Sequence, residues 1–228
     1  MNHSTENLLD VESQKFADKT SEFLTAVFDD VPPVIVERLD NRIVIRTCRG
    51  VPLKASGVEL AKLDISIRCR VDASNLYLAV EKSTIKLTAL LDRAPIIRWE
   101  YERDAHSKPT AHIHVHAHRG ALSHILSQCG HENPHGMESL HIPVGGARFR
   151  PSIEDVVEFL IDDCGLDGKL NWQKAVKLGR ADYREFQAKT VVRDMPEIAA
   201  EALKRLGYSV EPPPGGHPPP SEKALYKP

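Results

Sequence analysis

Leu60-Ala-Lys-Leu-Asp-Ile-Ser-Ile-Arg-Cys-Arg-Val71 sets Leu63, Ile65, Ile67 and Cys69 on one side of an extended chain, and Asp64, Ser66, Arg68 and Arg70 on the other. A strict period of two describes a strand with one face on a core and the other toward water. The following run, Leu76–Leu91, alternates in the same way and shifts phase around Thr84–Leu90, which predicts a bulge; Asp72-Ala-Ser-Asn75 links the two. Upstream, Val34–Leu39 and Arg42–Cys48 flank Asp40-Asn41, a two-residue link that suits a hairpin. Downstream, Pro95–Arg103 and Thr110–His118 are joined by the polar loop Asp104–Pro109. The reading is an antiparallel sheet of about six strands.

On either side of the sheet the period becomes helical. Phe16, Thr20, Phe23, Leu24 and Val27 recur at three- and four-residue intervals, predicting one amphipathic helix over Ser13–Asp30 behind a flexible N-terminus of residues 1–12. Val31-Pro-Pro33 ends it. After the sheet come a short helix over Gly120–Cys129 and a Gly/His/Pro-rich loop to Pro151. A helix capped by Ser152 and closed by Gly165 follows, then a longer one over Trp172–Thr190 and a last one from Asp194–Pro196 to Leu206. The fold class is therefore α+β, with an N-terminal helix and three to four C-terminal helices around one domain, residues 13–210. Seven of the last 18 residues, from Glu211 onward, are Pro, so residues 211–228 read as an extended, disordered tail.

The 228 residues carry 30 Lys and Arg against 32 Asp and Glu. No global basic field recruits nucleic acid, and any contact with a polyanion has to be focal. No apolar run reaches the roughly 20 residues a bilayer demands. Met1–Asp10 lacks the pattern of a secretory signal, so the expectation is a cytoplasmic protein with no membrane partner. Cys48, Cys69, Cys129 and Cys164 stand far apart with no C-x-x-C pair and read as reduced thiols.

Histidine is the unusual component: nine of the 11 lie between His106 and His141. In Ala111-His-Ile-His-Val-His-Ala-His118 the imidazoles fall on one side of a strand, and Ile113, Val115 and Ala117 on the other. The aliphatic side is the expected core face, leaving the histidines on the opposite surface. Same-side neighbours are about 7 Å apart, so a subset of His112, His114 and His116, with His141 or a loop carboxylate, can share a divalent metal such as Zn or Mn, or act as acid and base. The plain alternative is a polar strand face satisfied by water and by neighbouring strands.

Three motif patterns overlie this stretch. His112, His114 and His116 resemble the H-x-H-x-H of the histidine-triad nucleotide hydrolases and transferases, which implies His114 as nucleophile; Lys108-Pro-Thr-Ala111 stands where that family has a glycine-glutamine segment. The row is also similar to the His-hydrophobic-His single-strand nucleases, where a helical tyrosine attacks a metal-polarised phosphodiester. Tyr183, one helical turn from Gln187, is the matching candidate here, and packing among Trp172, Val176 and Phe186 is its structural alternative.

Residues 94–161 resemble the TumE-type toxins of bacterial toxin–antitoxin pairs. Arg98-Trp99-Glu100 matches the arginine-aromatic-acid step, His112 to His116 the histidine cluster, and Pro151–Leu160 the closing helix. The Asp-Asn and paired-histidine continuation after the arginine step is missing. That resemblance implies a toxin-like nuclease with an antitoxin-like partner.

Gly145, Gly146, Arg148 and Arg150 precede the Ser152-capped helix and form a candidate phosphate-binding turn, because glycines admit close backbone approach and guanidiniums grip phosphate in a fork. The competing reading pairs those arginines with nearby glutamates. Two functional classes remain open. One is an enzyme acting on a phosphodiester or nucleotide. The other is a non-catalytic interaction protein, such as a phage, prophage or defence component, whose histidines bind metal structurally or sense pH and whose proline tail meets a partner.

Overall fold

The 14-residue strand Val58–Val71 is the longest in the sheet, and it serves two partners along one edge. The computed structural model describes residues 3–39, 42–71, 78–91, 94–117, 120, 123, 127–128, 132–144, 150–220 and 222–226. Its strands are β1 (Val34–Leu39), β2 (Arg42–Thr47), β3 (Val51–Ala55), β4 (Val58–Val71), β5 (Leu78–Ala89), β6 (Pro95–Glu102), β7 (Ala111–Val115) and the two-residue β8 (Ile142–Pro143). They form one antiparallel sheet in the order β1-β2-β4-β5-β6-β7-β8. The C-terminal half of β4 pairs with β2, and its N-terminal half with β3.

The six expected strands are all present, and β3 and β8 are additional. The β3–β4 link turns on Ser56 and Gly57, both left-handed at φ 51° and 79°, a conformation that glycine adopts without steric cost. The Asp167 carboxylate accepts from both turn amides, at 3.0 and 2.8 Å, and ties the hairpin to the C-terminal half.

Helix α1 runs from His3 to Val27, ten residues earlier than expected, so the segment read as a flexible N-terminus is helical from His3 onward. Leu9, one turn before the buried Ser13, extends the apolar stripe and is itself fully buried. Helix α2 (Ile153–Glu158) starts at Ser152, whose hydroxyl accepts from the Asp155 amide at 3.0 Å. It continues as a wider turn over Phe159–Asp163 and closes at Gly165, φ 72°. Helices α3 (Trp172–Asp194), α4 (Pro196–Arg205) and the short α5 (Glu222–Tyr226) follow. The Asp40-Asn41 turn, Asp72–Asn75 and most of Gly120–Cys129 lie outside the described residues. Among those residues, no helix is long and apolar enough to cross a membrane.

The core lies on one face of the sheet. Ile43, Ile45, Leu63, Ile65, Ile67, Ile85 and Trp99 pack there with Leu24 and Val27 of α1, Val156 and Val157 of α2, and Trp172 and Val176 of α3. The Trp99 ring meets Phe159 edge to face, with centroids 5.9 Å apart. A register slip between Leu87 and Thr88 on the β6 side falls within the stretch expected to be irregular, and a second, unexpected slip on the β4 side between Arg68 and Cys69 leaves Glu81 without a partner on β4.

Candidate metal centre

Strand register decides which side chains meet beside the histidine row. β6 pairs with β7 so that Trp99 opposes Ile113, Glu100 opposes His112 and Arg98 opposes His114. Directly opposed residues share a face. Trp99 and Ile113 therefore turn to the helix-covered core, and Glu100, His112 and His114 to the other side. In β8, Ile142 opposes Ile113, so alternation sends His141 to the histidine side.

The side assignment of the row agrees with its alternation, but the histidines do not line an open surface. His112 is 0% and His114 5% exposed, more deeply buried than Ile113 and Val115 on the core side. The segment Met137–Val144 closes over them. It is anchored by the Met137 amide donating to the Ala117 carbonyl and the Val144 amide to that of Ala111, both at 3.4 Å.

Each buried ring is held by a main-chain carbonyl. His112 Nδ1 donates to Pro109 O at 2.8 Å, and His114 Nδ1 donates to Glu138 O at 2.7 Å. A carbonyl only accepts, so both Nδ1 atoms carry the proton and both Nε2 atoms face inward. Those Nε2 atoms each lie 3.3 Å from the same atom, Oε2 of Glu100. The third ring, His141, completes a triangle with centroids 4.8 to 5.0 Å apart and ring planes inclined by 65° to 81°. One ligand atom from each of the three histidines lies within 4.8 Å of the other two, so His112, His114 and His141 can hold a metal ion.

Electrostatics agree with that use. The His112 contact, with Arg98, His114 and Lys108 nearby, holds the Glu100 carboxyl down at about 2, so it is anionic at neutral pH. Desolvation pushes His114 below the ordinary imidazole value, and desolvation with the neighbouring rings does the same to His141. Neutral imidazole is the ligand form. Lys108 stands 3.9 Å from Glu100 Oε2, and Arg98 3.8 Å from Oε1.

The remaining site expectations divide sharply. His116 is outside the triangle, and its Nε2 is buried with no hydrogen-bond partner among the described residues. Gly145, Gly146 and Arg148 lie outside the described residues. Arg150 sits 5.9 Å from the Tyr101 ring and 5.3 Å from the Tyr183 ring. Tyr101 opposes Ala111, one residue out of phase with His112, so Arg150 and Tyr183 lie on the core side, across the sheet from the histidines. The Tyr183 hydroxyl donates to Arg150 O at 2.6 Å and burial raises its pKa, which makes it a packing residue.

Glu100, whose Oε2 meets both Nε2 atoms, is the neighbour of the histidines that reading the sequence for metal ligands missed. Its alternation with Trp99 is visible in the sequence, but its partner across the ladder is not. No family model, curated protein or solved structure matches the chain, so its chemistry is read from its own geometry.

Proposed function

We propose that this chain is a zinc-class metal-binding protein, with His112, His114, His141 and Glu100 as ligands, in which the ion fastens the Met137–Val144 segment to the edge of the sheet. The observation that carries the reading is two inward-facing Nε2 atoms converging at 3.3 Å on one buried carboxylate oxygen. With both Nδ1 protons given to carbonyls, a lone pair on Nε2 would face an anion unless a proton or a cation stands between. Desolvation, with the His112 ring 4.9 Å away, opposes a proton on His114. A single divalent ion satisfies all three atoms. In a tetrahedral zinc site with bonds of about 2.0–2.1 Å, ligand atoms stand roughly 3.3–3.4 Å apart; the carboxylate–imidazole spacing matches this, and the imidazole atoms, within 4.8 Å of one another, would draw in around the ion. Carbonyl acceptors on the far nitrogens are the usual supports of metal-bound histidine.

This is the non-catalytic reading of the histidine row, and free Cys48, Cys69 and Cys164 support placing the protein in the reducing cytoplasm. Phosphodiester hydrolysis is the second reading, favoured by one observation: His141 is only half-buried, so the centre has one side toward solvent where water or a phosphate could approach. The deciding experiment is elemental analysis of protein purified without a histidine tag, beside hydrolysis assays on bis-nitrophenyl phosphate and nucleic acid. About one zinc per chain with no turnover supports the structural role. Turnover lost in His114→Ala, with folding intact, supports the enzyme. Metal-free protein that binds no added zinc overturns both metal readings.

A further inference from the structure

The core covers one side of the sheet, and the opposite side carries a concentration of positive charge that the net charge of −2 conceals. Arg42 of β2 and Arg68 and Arg70 of β4 all alternate away from the buried Ile43, Ile67 and Cys69. The three converge on one carboxylate, Glu81, at 2.7, 3.6 and 3.5 Å. The register slip at Arg68/Cys69 puts Glu81 there, as the extra residue of the bulge. Glu81 is 10% exposed at its side chain, whereas the guanidinium-bearing side chains are 43–49% exposed. The neutralising charge is thus sunk and the surplus cations face water. Two further carboxylates reach these cations: Asp104 comes within 3.9 Å of Arg70, and Glu102 pairs with Lys82 at 3.3 Å.

Beside this cluster lies a shallow cleft of about 140 Å³, lined by Val44, Ser66, Arg68, Lys82 and Thr84. Two cations and two hydroxyls form a donor set suited to phosphate oxygens. Arg68 Nε, 3.6 Å from Glu81, is buried there with no hydrogen-bond partner among the described residues. Thr84 opposes Glu100, so the cleft adjoins the strand carrying the metal-site carboxylate. Trp99 and Tyr101 both turn to the core side, so among the described residues this part of the face presents no aromatic platform for bases.

We propose that this open sheet face binds the phosphate backbone of double-stranded nucleic acid, with Arg42, Arg68, Arg70 and Lys82 as the contact residues and the Ser66–Thr84 cleft seating one phosphate. Recognition is by charge and is indifferent to sequence. The proposal is independent of the metal reading and stands if the histidines bind nothing.

The test uses the full chain and a labelled 20-base-pair duplex of mixed sequence, measured by fluorescence anisotropy at 50 and 200 mM salt. Contact with about three phosphates gives a weakening of roughly 40-fold over that range. The Arg68→Ala/Lys82→Ala variant should bind at least tenfold more weakly, with its circular dichroism and melting temperature checked against the parent. Lys174→Ala/Lys177→Ala on α3, equal in charge change, should bind within twofold of the parent. Undetectable binding at 50 μM protein and 50 mM salt overturns the proposal. So does equal weakening by the α3 variant, tighter binding of the single strand by tenfold, or equal displacement by polyglutamate, which would mark an acidic-protein site instead. If the cleft variant fails to fold, Arg42→Ala/Arg70→Ala is measured in its place under the same criteria.

Discussion

Glu100 Oε2 lies 3.3 Å from His112 Nε2 across the β6–β7 ladder, joining a carboxyl held at about 2 to an imidazole that is fully buried. Neither residue is remarkable for its type; their opposition on one face makes a site. Replacing Glu100 with Gln keeps the volume and removes the anion. The expected outcome is at least a tenfold loss of zinc affinity by competition with a chromophoric chelator.

The metal should couple to stability through the segment it fastens. Zinc at 100 times its dissociation constant stabilises the folded state by about 2.7 kcal/mol, so the melting temperature should rise on zinc addition and fall with chelator. Limited proteolysis should show residues 132–144 cut faster without metal. Identical cleavage with and without zinc would show that the ion does not hold this segment.

The thiols differ by position. Burial pushes Cys69 up to about 12, and the residue is 0% exposed, whereas Cys48 and Cys164 are exposed. With an aromatic disulfide reagent at pH 8, Cys48 and Cys164 should react in the folded protein and Cys69 only after denaturation. Peptide mapping reads each site separately.

Glu154, in the first turn of α2, has its carboxyl raised above 4.5, chiefly by burial. A raised folded pKa means that the folded chain holds this proton more tightly than the unfolded one. The ionised group then costs stability above its folded pKa, and the cost vanishes below the unfolded value of about 4.3. Glu154→Gln should raise the melting temperature at pH 7 and leave it nearly unchanged at pH 3.5. An equal shift at both values would remove the charge explanation.

Tyr183→Phe deletes the 2.6 Å hydrogen bond to Arg150 O and nothing on the histidine side of the sheet. A loss of about 0.5–1.5 kcal/mol in denaturant unfolding is expected, with zinc content unchanged. A change in zinc stoichiometry would mean that the two faces are coupled.

Much of the scaffold was legible because its signals are local. Ser152 lies three residues before the Asp155 amide that it caps, and Gly165 closes the same helical segment. Leu63, Ile65, Ile67 and Cys69 needed only the period of two to declare the buried side of β4. The start of α1 was misread because the residues before Ser13 look polar when their burial is judged without a partner. Leu9 becomes core only once the helix lies on the sheet. Tyr183 and the histidine row looked compatible as motif members, but they were separated by a layer that linear spacing does not encode.

The order of residues alone determined that His112 and His114 share a side of one strand, because alternation is a property of the extended chain itself. It also determined the α+β class, since hydrophobic periods and caps act over a few residues. Only the tertiary structure decided that Glu100 and His141 are the groups that meet them, and that Met137–Val144 covers them. The reason is physical: cross-strand register and the return of a distant segment are set by the packing energy of the whole core, which no local stretch contains.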